Sequence, residues 1–155
     1  MAARNPSIQP ALSHIHALAE FRYTLRKFLH FSEEAATVAG IAPQQHQLLL
    51  QIAGAPDFTC TSVGYLAERL ALRHNSVVEL CNRCEQAGLI LRKSDPTNRR
   101  TVVLKLTAEG SRLLRSLSAD HARELNEFGP RLVVALKAIT KLNQTAGDYP
   151  AGGSR

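Results

Sequence analysis

Arg73, His74, Asn75, Ser76 and Glu79 fall in one short stretch, "RHNSVVE", and their side chains share a chemistry. Arginine offers a fork of donors that fits guanine, and asparagine a donor and an acceptor that fit adenine. Glutamate accepts from the amino group of cytosine. A second group follows at "RKSDPTNRR" (Arg92–Arg100), where Asp95, Pro96, Thr97 and Asn98 are followed at once by Arg99 and Arg100. Adjacent arginines on a turn gain little in water, but they suit phosphates or a narrow, electronegative minor groove. Each group also has a plainer reading, the first as the polar face of a helical hairpin and the second as a solvated basic turn. The elements that carry them decide between the readings.

The balance of charge favours a polyanionic partner. The formal net charge is +6, with a pI near 9.7, and eight basic against four acidic residues lie between Thr61 and Leu106. The 155 residues suit one domain with helical extensions. No apolar run approaches the ~20 residues of a membrane span, and "MAARNPSIQPALSHIH" lacks the apolar core of a signal peptide. Three cysteines are too few for a disulfide framework. The expectation is a cytoplasmic protein with no membrane partner.

Residues 1–9 read as a flexible tail. Pro10 opens a long helix to Gly40, whose apolar positions (Leu12, Ile15, Leu18, Leu25, Phe28, Leu29) are flanked by Phe21 and Phe31. That face is too broad for one small core and implies a partner. A second helix runs from Pro43 to Gly54. Ser62 is placed to cap "VGYLAERLAL", and after a short turn a further helix spans about Asn75 to Ala87. "LILRKS" and "TVVLKL" read as the strands of a hairpin. In the second, alternation puts Val102, Leu104 and Leu106 on one face and Val103 and Lys105 on the other. Thr107 caps another long helix, a last helix is expected after Gly129-Pro130, and residues 144–155 read as a disordered tail. The fold class is therefore mainly α with a small β-hairpin.

The two helices over Ser62–Ala87 have helix-turn-helix spacing. Leu66, Ala67, Leu70, Leu72, Val77 and Leu80 are the packing positions, and Arg73, His74, Asn75, Ser76 and Glu79 are left outward. A hairpin with a basic tip directly after such a pair makes a winged helix. The residues resemble the MarR (multiple-antibiotic-resistance regulator) family of transcription factors. The resemblance lies in "LAERLAL" (Leu66–Leu72), "NSVVELCNRCEQAGLILRKSDPTNRR" (Asn75–Arg100) and "LKLTAEG" (Leu104–Gly110). It implies a homodimer, with 10–40 and 107–143 as dimerisation helices and 41–106 as the lobe that binds double-stranded DNA. It also implies a palindromic operator, a repressor role and release by a small phenolic or otherwise aromatic molecule. Arg99 and Arg100 would then be wing contacts, and Asp95 and Asn98 would hold the tip in shape.

Three positions depart from the family pattern. Asn98 stands where a second wing aspartate is usual, Arg73 where a capping serine is usual, and Glu79 where a basic or polar residue is common. Cys81 and Cys84 form a C-x-x-C on the second helix of the pair. They are either small hydrophobes in the core or a redox or metal switch, and one such pair is weak for zinc. Peroxide-sensing members of the family use a cysteine in the first helix, and this first helix has none. No P-loop, G-x-S-x-G or H-E-x-x-H is present, so neither catalysis nor a cofactor is expected. A protein-interaction module on the same scaffold is the remaining alternative.

Overall fold

The structure is a computed structural model that describes residues 8–95, 98 and 100–146. The flexible tail expected over 1–9 and the disordered tail expected over 144–155 lie largely outside these residues. The elements, in chain order, are α1 (Ile8–Val38), α2 (Pro43–Ala53), a turn of 3-10 helix (Phe58–Cys60), α3 (Val63–Leu70), α4 (His74–Gln86), β1 (Ile90–Ser94), β2 (Val102–Leu106) and α5 (Ala108–Ala146). No helix among the described residues is long and apolar enough to cross a membrane.

By internal contacts the chain forms two compact units, one of Met1–Phe31 with Ala122–Arg155 and the other of Ser32–His121. The second unit holds the hydrophobic core. Leu48, Leu49 and Ile52 of α2, Leu66 of α3, and Val77, Leu80, Cys81 and Cys84 of α4 meet Leu89, Ile90, Leu104 and Leu114. The spacing of the α4 residues, i, i+3, i+4 and i+7, turns one side of that helix wholly inward. Each large side chain buried in this way contributes roughly 2 kcal/mol. The helix pair and the hairpin are thus held by one core, as the winged-helix reading expects.

Local signals set most boundaries. The Ser62 hydroxyl accepts from the Tyr65 N–H at 3.2 Å and caps α3. Gly88, with φ +70, turns the chain out of α4 while the Leu89 N–H reaches back to the Cys84 carbonyl at 2.9 Å. Thr107 ties the start of α5 to this turn. Its hydroxyl donates to the Gly88 carbonyl (2.7 Å) and accepts from the Gly110 N–H (3.0 Å), and its own N–H donates to the Leu89 carbonyl. Gly110 itself lies against the Leu89 backbone: a Cβ there would sit 3.0 Å from the Leu89 carbonyl carbon and still closer to its oxygen.

Two expectations are corrected. Gly129-Pro130 does not divide the C-terminal segment, because α5 runs unbroken from Ala108 to Ala146 with Pro130 inside it. Proline removes one rung of the hydrogen-bond ladder, and the rungs on either side keep the helix going. That helix also carries residues 144–146, which the composition had assigned to the tail. In β2 the two faces of the expected alternation are both covered: Val103 and Leu104 are fully buried, whereas Val102 is 46% exposed. The hairpin is therefore covered on both faces at its middle.

A buried polar cluster closes the second unit. His46 of α2 lies 4.9 Å from His121 between ring centroids, and the His46 Nδ1 has no hydrogen-bond partner among the described residues. The His121 Nδ1–H donates to the Leu117 carbonyl, which leaves Nε2 to accept from the Ser32 hydroxyl at 2.7 Å. Burial first, and then the positive form of His121, push the His46 imidazole down to about 4.

Candidate nucleic-acid interface

Helix α4 is the positioning element. With Val77, Leu80, Cys81 and Cys84 inward, Arg73, His74, Asn75, Ser76 and Glu79 are all exposed at its N-terminal end. Arg73 is the N-cap residue in an extended conformation, and its side chain makes no capping bond. The departure from a capping serine thus leaves the guanidinium free for another use. The turn before α4 is tight. Ala71 adopts the left-handed conformation (φ 52), and its N–H returns to the Ala67 and Glu68 carbonyls. The Leu72 N–H also bonds to the Ala67 carbonyl, at 3.0 Å. A non-glycine residue in this region is strained by roughly 1 kcal/mol, and the two flanking helices, packed in one core, hold it there.

The hairpin pairs Ile90 with Leu106, Arg92 with Leu104 and Ser94 with Val102. At its tip the Asp95 N–H donates to the Thr101 carbonyl (2.9 Å) and the Thr101 N–H to the Asn98 carbonyl (2.8 Å). Asn98 takes part through its side chain as well, its oxygen accepting from the Arg100 N–H at 3.2 Å. An Asn at this place shapes the tip through the main chain, a local turn that asparagine and aspartate both support. Asp95 is buried at the base of the tip and Arg100 is exposed. Arg99 lies outside the described residues, as do Pro96 and Thr97.

Two residues that position this surface had no clear signal in the sequence. Thr61, within a stretch read as a loop, pairs with the outer edge of β2. The Leu104 N–H donates to the Thr61 carbonyl at 3.1 Å, and the Thr61 hydroxyl donates to the Leu104 carbonyl at 2.7 Å. This satisfies edge groups of the wing that would otherwise face water or another chain. Arg92, one basic residue among many, bonds from β1 to Asn82 and Glu85 of α4.

Cys81 and Cys84 are free thiols buried in the core. Burial pushes the Cys81 thiol up, and burial with the neighbouring Cys81 raises Cys84 to about 11. Such thiols hold little thiolate at neutral pH, and thiolate is the reactive form. Among the described residues no group of three or more His, Cys, Asp or Glu side chains is placed to hold a metal ion.

The same arrangement occurs in known proteins. A model of the MarR family matches residues 39–101. A putative transcriptional regulatory protein for the hcr operon of Thauera aromatica is 29% identical over 126 residues, covering 78% of this chain and 74% of its own. The fold matches the MarR family transcription regulator SP03579 with a TM-score of 0.72 at 21% identity, over 92% of this chain and 93% of that one. It also matches a cysteine-to-serine mutant of E. coli MarR complexed with operator DNA (TM-score 0.60, 21% identity, 77% and 87% covered). A further match is CouR from Rhodococcus jostii RHA1 bound to p-coumaroyl-CoA (TM-score 0.62, 18% identity, 83% and 88% covered). A helix pair sharing one core with a two-stranded wing, the motifs along it and these likenesses agree: residues 39–101 are similar to the MarR family of transcription regulators, and the chain has the winged-helix fold of the MarR family structures it matches.

Proposed function

We propose that this chain is a homodimeric repressor that binds a palindromic operator in the cytoplasm and is released by a small aromatic molecule. One observation carries the DNA contact: the exposed polar residues Arg73, His74, Asn75, Ser76 and Glu79 head a helix whose other face is fully buried beside the wing. In this reading α4 enters the major groove. Arg73 meets phosphate or guanine, Asn75 adenine and Glu79 a cytosine amino group, while His74 and Ser76 make flanking contacts. Arg99 and Arg100 reach the neighbouring minor groove or its phosphates, with Asp95 and Asn98 holding the tip.

The first compact unit supports the dimer. Ile15, Leu18, Tyr23, Leu25 and Leu29 of α1 and Leu125, Val133, Val134 and Leu136 of α5 are each at least 36% exposed. A groove of about 820 Å³ runs through the same unit, between residues such as Ala17, Tyr23, Val134 and Ala138. So much exposed apolar surface is unusual on a monomer and suits a self-complementary twofold interface. Such a dimer reads half-sites about 10 bp apart. The effector is supported by the ligand-bound CouR, and it acts only if it favours one spacing of the two lobes over the other.

The experiment is a pair of substitutions titrated on operator and random DNA. Asn75→Ala should lose about 1–3 kcal/mol on the operator alone and relax its preference at one base pair. Arg100→Ala should weaken both DNAs alike and lower the salt slope by about 1. Operator binding by both variants indistinguishable from wild type would reject this interface.

A further inference from the structure

We infer that Arg92 is a positioning residue for DNA binding: it clamps the wing to the recognition helix and so fixes the geometry in which the two meet DNA together. The inference rests on the DNA-binding reading above. From β1 the Arg92 guanidinium donates to the Asn82 side-chain oxygen at 2.7 Å and pairs through its other terminal nitrogen with the Glu85 carboxylate. Asn82 and Glu85 are three residues apart on α4 and therefore on one side of it. A planar fork held by two acceptors restricts rotation as well as distance, which a single point charge does not.

The place of the clamp gives it its effect. Ile90 and Leu104 anchor the base of the hairpin in the core, whereas Lys93 and Ser94, nearer the tip, are exposed. An isolated two-stranded ribbon is barely stable in water, so its outer half takes its direction from whatever holds it to the helix. Arg92 is paired with Leu104 in the middle of the ladder, one step before the exposed Lys93 and Ser94 of its own strand. The Arg92 and Glu85 side chains are 30% and 40% exposed. An ion pair with this exposure adds little to stability, so the loss should be read in DNA affinity rather than in unfolding.

The rival role for Arg92 is a direct phosphate contact, and Glu85 separates the two by sign. If Arg92 only met phosphate, Glu85→Gln would free it, remove a negative charge and tighten DNA binding. The clamp instead has Glu85→Gln weaken operator binding about tenfold, the size of one lost base contact, with an unchanged salt slope. Asn82→Ala should weaken it in the same direction. The charge-swapped Glu85→Arg/Arg92→Glu chain should bind more tightly than Arg92→Glu alone. Without DNA, amide exchange in β1 and β2 should quicken in Glu85→Gln while α4 is unaffected.

Fluorescence anisotropy on the operator and hydrogen exchange on the free protein make the test, with unfolding curves confirming that each variant is folded. Tighter or equal binding by Glu85→Gln, or unaltered exchange in the hairpin, overturns the clamp while leaving the proposed function standing. A wild-type chain that fails to distinguish operator from random DNA overturns the proposed function first, and the clamp's role in DNA binding with it.

Discussion

Gly110→Ala destabilises the Ser32–His121 unit by about 3 kcal/mol or more, the upper range for overpacking at a site that cannot yield. In an exposed helix the same change would stabilise by roughly 1 kcal/mol, because alanine is the better helix former. Here the sign reverses. The added methyl group meets the Leu89 backbone, at 3.0 Å from its carbonyl carbon and nearer to its oxygen, and main chain cannot rotate aside as a side chain would. That backbone is doubly committed, since the Leu89 carbonyl accepts from the Thr107 N–H and the Leu89 N–H caps α4. Gly64→Ala is the control, because its Cβ would meet only the Ser62 hydroxyl oxygen, at 3.9 Å. Urea unfolding of the three proteins checks the argument. Equal stability of Gly110→Ala and wild type would show that the start of α5 can slide away from Leu89.

Acid should destabilise the same unit through His46. The ring titrates near its ordinary 6.5 in the unfolded chain and at about 4 in the folded one. Above pH 6.5 both states hold it neutral and its contribution to stability is fully present. Between 6.5 and 4 the unfolded chain takes up the proton and the folded chain does not, so stability falls as pH falls through this window. The loss is roughly 3 kcal/mol once pH 4 is reached. Carboxylates titrate in the lower part of this range too, so the comparison needs a variant. His46→Phe keeps an aromatic ring near His121 and has nothing to protonate. Denaturant unfolding at pH 7.5 and 4.5 should show wild type losing about 2–3 kcal/mol more than His46→Phe. Parallel losses would mean that His46 is protonated inside the fold without penalty.

The parts of this fold that were legible in the sequence are those written locally. The inward side of α4 is spelled by Val77, Leu80, Cys81 and Cys84 at helical spacing, and Ser62 and Thr107 announce the starts of α3 and α5. The exposure of Arg73, His74, Asn75, Ser76 and Glu79 follows from the same periodicity. What was missed is held by contacts distant along the chain. Thr61 and Leu104 are 43 residues apart, and nothing near Thr61 marks it as the cover of a strand edge. His46 and His121 come from different helices, so scattered histidines gave no hint of a pair. Pro130 misled because a local helix breaker was weighed without the long helix that surrounds it. Gly110 was visible as a motif position, but its reason, the nearness of the Leu89 backbone, exists only in three dimensions.

The wing shows the same division. Its double arginine and its turn residues are plain in "SDPTNRR", yet the residue that ties β1 to α4 is Arg92, which charge counting treats like any other basic residue. Asn98, singled out in the sequence for lacking a charge, shapes the tip through a main-chain bond that needs none.

The central claim is that α4 and the wing together read a DNA sequence. The most direct test is an anisotropy titration of the wild-type protein on the palindrome upstream of its own gene, against a shuffled duplex, at several salt concentrations. Binding to the palindrome should be at least ~10³-fold tighter, and both affinities should fall steeply with salt. Equal affinity for the two duplexes at every salt concentration would contradict it.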